Sequence, residues 1–171
     1  LQRANNDYTT IDLEHAEELA YRELIDSIRY ISLGDECGVM GNIANIITYK
    51  GRFYIQEEQF DRVFIYDDTG RCLKKIDNKG RGPGEYLRIE SIDINTEKEE
   101  LMLVDGMSDK LFFYDLGGNF KSIHSIRYFQ TENTLCLRDS VFLHISAPSQ
   151  NFGNEGLYGY ALVLSLIHIS E

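Results

Sequence analysis

The chain has 171 residues, of which 43% are hydrophobic and 26% charged, a composition that excludes wholesale disorder. Its 17 basic and 28 acidic residues give a net charge of −11 without a concentrated basic face, so nucleic acid is excluded as a partner. Eleven Tyr, nine Phe and 14 Gly, with only two Pro, favour many short strands and tight turns.

The N-terminal part, residues 1–27, is predicted to be an extension with a short helix. Five apolar residues recur there at near-helical spacing, and Asp12 is a candidate N-cap. These five are Leu13, Ala16, Leu19, Ala20 and Leu24. Residues 28–33 follow as a predicted strand, and residues 34–41 as a turn-rich link. Because Leu1 is not an initiator methionine, we expect the natural N-terminus to lie upstream.

A repeat is the main signal in the sequence. Residues 52–70 reappear without gaps at residues 100–118, with five identities at a constant spacing of 48 residues. The identical pairs are Asp61 and Asp109, Phe64 and Phe112, Tyr66 and Tyr114, Asp67 and Asp115, and Gly70 and Gly118.

Within each repeat the pattern predicts strands. Short apolar or alternating runs cover residues 53–55, 63–66 and 72–76, and a preceding strand is predicted at 45–49 in the first unit and 89–94 in the second. The turns Asp67–Gly70 and Asp115–Gly118 carry an aspartate that caps the turn and a glycine that accepts positive φ. Four short strands in about 40–50 residues are typical of a β-propeller blade.

A third unit is predicted from Thr134, with strands at 135–137, 141–146 and 158–163 and a long polar loop at 148–156. Its fourth strand would fall on residues 164–171. That octapeptide resembles the in-frame translation of a transposase adapter used in sequencing libraries. We therefore expect a non-native tail at 164–171, assign no function to it, and predict incomplete propeller blades over residues 28–163.

Several of these motifs resemble a known family. They are Asp67-x-x-Gly70, the heptad Gly80-Arg81-Gly82-Pro83-Gly84-Glu85-Tyr86 and Tyr114-Asp115-x-x-Gly118. Together they are similar to a family of six-bladed β-propellers, related in pattern to NHL-repeat proteins, many of which are exported lipoproteins of Bacteroides-type bacteria. Residues 11–13 and 27–33 also resemble the family's start, although Ser32 stands where the family usually has proline.

The resemblance, which spans about residues 10–130, implies an all-β fold with two to three four-stranded blades of a six-bladed ring. It implies that the strand at residue 28 closes the last blade, which this chain lacks. It also implies an exported protein of the periplasm, outer membrane or cell surface, held to the membrane only through a lipid anchor missing from this chain. It carries over no catalytic residue.

The glycine-rich heptad is not a phosphate-binding loop, because its spacing is neither that of a Walker loop nor G-x-G-x-x-G and residues 86–94 are predicted as a strand. We interpret it as a crossover between blades, in which the glycines permit tight turns. Glu85 and Tyr86 would anchor the crossover by hydrogen bonding and core packing. Arg81 is a candidate ligand contact.

Two functions are compatible with the sequence. The leading hypothesis is a non-catalytic binding or scaffold propeller that recognises a protein or glycan, with Phe152, Tyr158 and Tyr160 supplying aromatic contacts from the long loop. The alternative is a calcium-dependent hydrolase of lactonase or esterase type, with Glu57 and Asp105 as equivalent carboxylates near strand ends. The recurrence of carboxylates at equivalent repeat positions favours the scaffold, so no catalytic residue, metal ligand or cofactor is assigned.

The three cysteines, Cys37, Cys72 and Cys136, have no metal-ligand spacing and cannot all pair. We predict that each fills a small position in the core, as buried cysteines commonly do.

Overall fold

The computed structural model describes residues 26–126, 133–138, 141–146 and 161–166. Residues 1–30 and 31–171 form two compact units. The helix predicted within residues 11–28 lies outside the described residues except for its last three positions, which are not helical. All regular elements of the described residues are β-strands and belong to the second unit, which confirms the all-β prediction.

Two four-stranded antiparallel sheets make up most of the described residues. The first sheet consists of β1 (Ile43–Tyr49), β2 (Arg52–Glu57), β3 (Arg62–Asp67) and β4 (Cys72–Ile76), paired in that order. The second sheet consists of β5 (Ser91–Asn95), β6 (Glu100–Asp105), β7 (Lys110–Asp115) and β8 (Phe120–Ser125), again paired in order. Each repeat unit predicted from the sequence therefore has one sheet.

A third sheet follows. It contains β9 (Asn133–Arg138), β10 (Val141–Ser146) and β11 (Ala161–Leu166), with β10 between the other two. The carboxylate of Asp93 on β5 accepts a hydrogen bond from the Cys136 amide at 2.6 Å and so joins the first strands of the second and third sheets. Burial raises the pKa of Asp93, whereas this bond acts to lower it.

The turns explain why the ungapped repeat begins only at Arg52. The β2–β3 and β6–β7 turns are equivalent, with Asp61 and Asp109 at φ of 56° and 52°, a conformation that aspartate tolerates better than most residues. The β1–β2 turn has two residues, Lys50 and Gly51, whereas residues 96–99 separate β5 from β6. This difference in length breaks the sequence match before β2 and β6.

Both faces of each four-stranded sheet are apolar. We call the face toward the next sheet along the chain the front face and the other the back face. The front face of the first sheet packs on the back face of the second in one continuous core. The first sheet contributes Tyr54, Val63, Ile65 and Ile76, and the second contributes Ile92, Ile94, Leu101, Leu103, Phe112 and Tyr114.

The other two faces are covered as well. On the back face of the first sheet, Ile55, Phe64 and Tyr66 are buried beneath the partly buried Cys37 and Met40. The front face of the second sheet packs against Cys136 of β9 through a buried cluster. That cluster is Met102, Val104, Leu111, Phe113 and Ile126. Equivalent residues thus face the same way in both sheets, and the sheets stack front to back, as units of a repeat protein do.

The strand predicted at residues 28–33 is wrong: these residues form no strand in the structure. A strand needs a neighbour whose backbone completes its hydrogen bonds, and no described strand pairs with this segment. The side chains of Ile28 and Tyr30 are correspondingly exposed, Tyr30 to 91%.

The strand predicted at residues 89–94 begins two residues later, at Ser91, and residues 86–90 are not part of it. The reason lies in side chains from the first sheet. The Ile89 amide donates to the Asp61 carboxylate at 3.1 Å, and the Ile89 carbonyl accepts from Gln56 Nε2 at 3.1 Å. These tertiary bonds occupy the groups that a longer strand would use.

Substitution of Gly118 tests how tightly the sheets stack. Gly118 has φ of +80°, and a Cβ there would lie 2.9 Å from Ile65 Cδ1 and from Lys74 Cγ of the first sheet. Gly51 has φ of +70° but an open environment, so it is the matched control. We expect Gly51→Ala to lower the free energy of unfolding by about 1 kcal/mol and Gly118→Ala by about 2–4 kcal/mol, measured by urea denaturation. Equal losses of stability in the two variants would show that the added methyl group at residue 118 does not clash with the first sheet.

Candidate functional site: the glycine-rich crossover

The crossover, residues 77–90, connects β4 to β5 and contains the glycine-rich heptad. The two ends of the heptad are joined by a bond from the Gly80 amide to the Tyr86 carbonyl at 2.9 Å. A second bond runs from the Tyr86 amide to the Asn78 carbonyl at 3.1 Å. Between them, the Glu85 carboxylate accepts a bond from the Gly82 amide at 2.7 Å. A Cβ at Gly80 would overlap this carboxylate, which explains the glycine there.

Tyr86 fixes the crossover between the two sheets. Its side chain is fully buried, and its ring contacts Phe112 of the second sheet edge-on at 6.0 Å between centroids. Its hydroxyl donates to the Asp61 carbonyl of the first sheet at 2.8 Å and accepts from the Asn78 amide at 3.2 Å. Burial raises the pKa of Tyr86 well above its usual range, so the phenol stays neutral at physiological pH.

Two aspartates from the turns also hold the crossover. Asp61 accepts a bond from the Ile89 amide and pairs with the Lys79 ammonium group. Asp105, at the end of β6, accepts from the Leu87 amide at 2.7 Å and from the Ser108 hydroxyl at 2.7 Å, and its other oxygen accepts the amides of its own turn. Asp61 therefore provides an acceptor for a buried amide of the crossover, and Asp105 provides one for a partly buried amide.

Glu57 is the counterpart of Asp105 in the first sheet, and its bonds differ. One carboxylate oxygen accepts from Arg62 Nε at 2.9 Å and from the Phe60 amide at 3.3 Å. The other oxygen, Oε1, is buried without a hydrogen-bond partner among the described residues and faces Gly41. The longer side chain and the arginine make this position different from Asp105, although the sequence repeat makes the two equivalent.

The predicted turn residues lie in the β3–β4 and β7–β8 turns. Asp67 accepts bonds from the Thr69 hydroxyl at 2.6 Å and from the Thr69 and Arg71 amides, and these bonds lower the pKa of Asp67. Asp115 accepts from the amide and the side chain of Asn119, which likewise lowers the pKa of Asp115. Gly70 and Gly118 adopt positive φ in the same turns.

Of the predicted ligand-contact residues, some lie within the described residues and others do not. Arg81 is exposed in the crossover, next to the Gly82–Glu85 turn. Phe152, Tyr158 and Tyr160 lie outside the described residues. The structure therefore describes one of the four candidate ligand contacts, and its position is accessible to a partner.

At the described crossover, Glu90 and Asp105 do not form an acid–base pair. Burial raises the pKa of Glu90, and the charges of Asp105 and Asp109 raise it further against the opposing effect of Arg88. A second carboxylate free to exchange a proton would be needed, but Asp105 already accepts four hydrogen bonds. Within the described residues, moreover, acidic, histidine and cysteine side chains form no cluster of three or more that could hold a metal ion.

The core prediction is confirmed for Cys72, which is buried in a core cluster against which the half-buried Cys37 packs, but the sequence did not predict that these two cysteines are bonded. Cys37 and Cys72 form a disulfide, and Cys136 takes part in no disulfide. The two half-cystines are 35 residues apart in the sequence and lie in different structural contexts, a loop and the start of β4. Sequence spacing could not show the pair, because the pairing depends on how residues 31–42 cross the sheet.

Gln56 and Asn78 are further residues that sequence analysis missed. Gln56 Nε2 donates to the carbonyls of Ile89 and Glu90, and the Asn78 backbone holds both the amide and the hydroxyl of Tyr86. Gln56 was detectable in principle, since it is a polar residue at a position where the repeat has Val104.

Comparison with known proteins places the chain in a family. The family model described as "Domain of unknown function (DUF4934)" matches residues 8–165. The chain belongs to the DUF4934 family. No curated protein is significantly similar in sequence to this DUF4934 chain.

Solved structures with similar folds include a Bacteroides fragilis protein described as exported. It matches with a TM-score of 0.64 and 20% identity over 74% of the DUF4934 chain and 36% of its own. The structure of U3-55K matches with a TM-score of 0.50 and 13% identity over 61% of this chain and 33% of its own. The WD40 repeats of RRP9 match at 0.48 and 12% identity, over 61% and 32%.

These similarities concern the fold alone. The DUF4934 chain spans about a third of the length of the structures that it matches. In the part of the chain that the structure describes, there is no helix long and apolar enough to cross a membrane.

Proposed function

We propose that the DUF4934 chain is part of a β-propeller that acts as a non-catalytic binding scaffold in an exported protein. The observation that carries this proposal is the role of four aspartates in the turns and at the strand ends of the two repeat units, Asp61, Asp67, Asp105 and Asp115. Each accepts hydrogen bonds within a turn or from the crossover, so each has a structural role. Such a scaffold leaves its turns and loops for recognition.

The proposal includes a closed ring of such sheets. Front-to-back stacking of four-stranded sheets supports it, because each sheet presents one face to its predecessor and the other to its successor. We take the ring to be six-bladed and related in pattern to NHL-repeat proteins, as the motifs of the heptad and the turns suggest. The chain supplies three of the sheets.

Two observations support export. The similar Bacteroides fragilis protein is described as exported, and disulfides such as Cys37–Cys72 form in oxidising compartments. A location in the periplasm or at the cell surface, through a lipid anchor on the complete protein, is part of the proposal.

The partner is proposed to be a protein or a glycan, contacted by Arg81 and by the aromatic residues Phe152, Tyr158 and Tyr160. The test is a screen of the purified chain against a glycan array and, by cross-linking, against bacterial envelope proteins. For a ligand found this way, Arg81→Ala is expected to weaken binding about tenfold to a hundredfold. Arg71→Ala, which alters an exposed arginine in the β3–β4 turn, is the matched control.

Each outcome of this screen decides part of the proposal. Unchanged binding by Arg81→Ala would remove Arg81 from the site, and unchanged binding by the double variant Phe152→Ala and Tyr158→Ala would remove the loop. Failure of the chain to bind any glycan or envelope protein would count against the binding role. The alternative, a calcium-dependent hydrolase, would instead show calcium retained after purification in its presence, by elemental analysis.

A further inference from the structure

Residues 31–42, which we call the strap, cross the back face of the first sheet. At one end the Gly34 amide donates to the Gly70 carbonyl at 2.7 Å. At the other end the Glu58 amide donates to the Asn42 carbonyl at 3.0 Å. The strap therefore runs from the β3–β4 turn to the β2–β3 turn and covers the apolar residues between them.

Five hydrogen bonds, among them one from Arg62 Nη2 to the Val39 carbonyl at 3.4 Å, join the strap to the first sheet, but the strap contains no aromatic residue that could enter the core. The crossover inserts a whole aromatic ring, Tyr86, between two sheets and bonds it on both sides. The strap places only the partly buried Cys37 and Met40 against the sheet. Its carbonyl at Gly34 accepts the Tyr66 hydroxyl at 3.2 Å, and the Cys72 amide donates to the Glu36 carboxylate at 3.3 Å.

The Cys37–Cys72 disulfide lies in the middle of the strap. It joins the strap to the first residue of β4, beside the Tyr66 ring that the strap covers. Cys37 is half-buried, whereas Cys72 is buried. The bond is thus the cross-link that holds the strap to the sheet, and Cys37 is the more exposed of its two residues.

We propose that this disulfide is a redox-responsive latch that closes the strap over the back face of the first sheet. Reduction would release the strap and expose the face formed by Ile55, Phe64 and Tyr66, while the second sheet keeps its own packing. The inference concerns the fold of the first sheet and does not depend on the proposed binding function.

The chemistry is thiol–disulfide exchange with a dithiol reductant. A thiolate of the reductant attacks the sulfur of Cys37, the more exposed residue of the pair, and the Cys72 thiolate leaves and takes up a proton. The second thiol of the reductant then attacks the mixed disulfide, which releases Cys37 as a thiol. Two electrons and two protons pass to the protein, and the reductant becomes a disulfide.

The test compares the oxidised chain with the same chain treated with dithiothreitol. Alkylation and mass spectrometry should count one thiol, from Cys136, in the oxidised chain and three after reduction. Hydrogen exchange is then measured by peptide. We expect exchange in peptides from residues 31–42 to become about tenfold faster or more on reduction, with peptides from residues 100–115 unchanged.

The double variant Cys37→Ser and Cys72→Ser should reproduce the reduced pattern without reductant, and Cys136→Ser should exchange like the oxidised wild type. Three thiols in the oxidised chain would overturn the proposal, since the bond would not form. Unchanged exchange in the strap would also overturn it. So would loss of protection over the second sheet, because the disulfide would then stabilise the whole fold rather than latch one face.

Discussion

Replacing Tyr86 by alanine is expected to lower the free energy of unfolding by about 3–5 kcal/mol, the range for deletion of a large buried aromatic ring. The ring lies in the core shared by the two four-stranded sheets and contacts Phe112. Its loss would leave a cavity at the sheet interface and remove one of the links between the crossover and the first sheet. Urea denaturation followed by circular dichroism measures the change.

The variant Tyr86→Phe separates packing from hydrogen bonding. It keeps the ring but leaves the Asp61 carbonyl and the Asn78 amide without the hydroxyl, at an expected cost of about 1–3 kcal/mol. Tyr30→Ala, at a 91% exposed position, is the control and should change stability by less than about 0.5 kcal/mol. If Tyr86→Ala were as mild as the control, the crossover would not be anchored by this residue.

Replacing Asp105 by alanine is the second large effect that we expect, a loss of about 2–4 kcal/mol. The change would leave the Leu87 amide of the crossover and three donors of the β6–β7 turn without their acceptor. Unpaired buried donors cost about 1–3 kcal/mol each when water cannot replace the partner, and those near the surface cost less. Thermal and urea unfolding measure the loss.

Two further variants define the role of Asp105. Asp105→Asn retains one oxygen acceptor and should lie between the wild type and Asp105→Ala. Glu97→Ala, in the exposed turn between β5 and β6, should have an effect below about 0.5 kcal/mol. A loss of stability in Asp105→Ala no larger than in Glu97→Ala would contradict the role of Asp105 in holding the crossover.

The strands of the repeat could be predicted because their signal is local. Alternating side chains in β2, β3, β6 and β7 pack on opposite faces of each sheet, and the constant spacing of 48 residues marks the same strands twice. The start of β5 could not be predicted, since it depends on bonds from Gln56 and Asp61 to Ile89. Residues 28–33 have a strand-like sequence but no partner strand among the described residues.

In the candidate site, too, some features could be predicted from the sequence and others could not. Tyr86 and the glycines could be singled out because the heptad is an unusual pattern, and their contacts follow from it. The disulfide could not, because Cys37 and Cys72 meet only where the strap crosses the sheet. Nor could the repeat reveal that Glu57 pairs with Arg62, since the sequence places Glu57 and Asp105 at equivalent positions.

The front-to-back stacking has a consequence for how such a chain can grow. A tandem duplication of one 48-residue unit would insert a sheet with an apolar back face and an apolar front face at the same repeat positions as in its neighbours. No new kind of interface would have to evolve. Lineages of this fold can therefore change their number of sheets by copying DNA, and selection then acts on the loops.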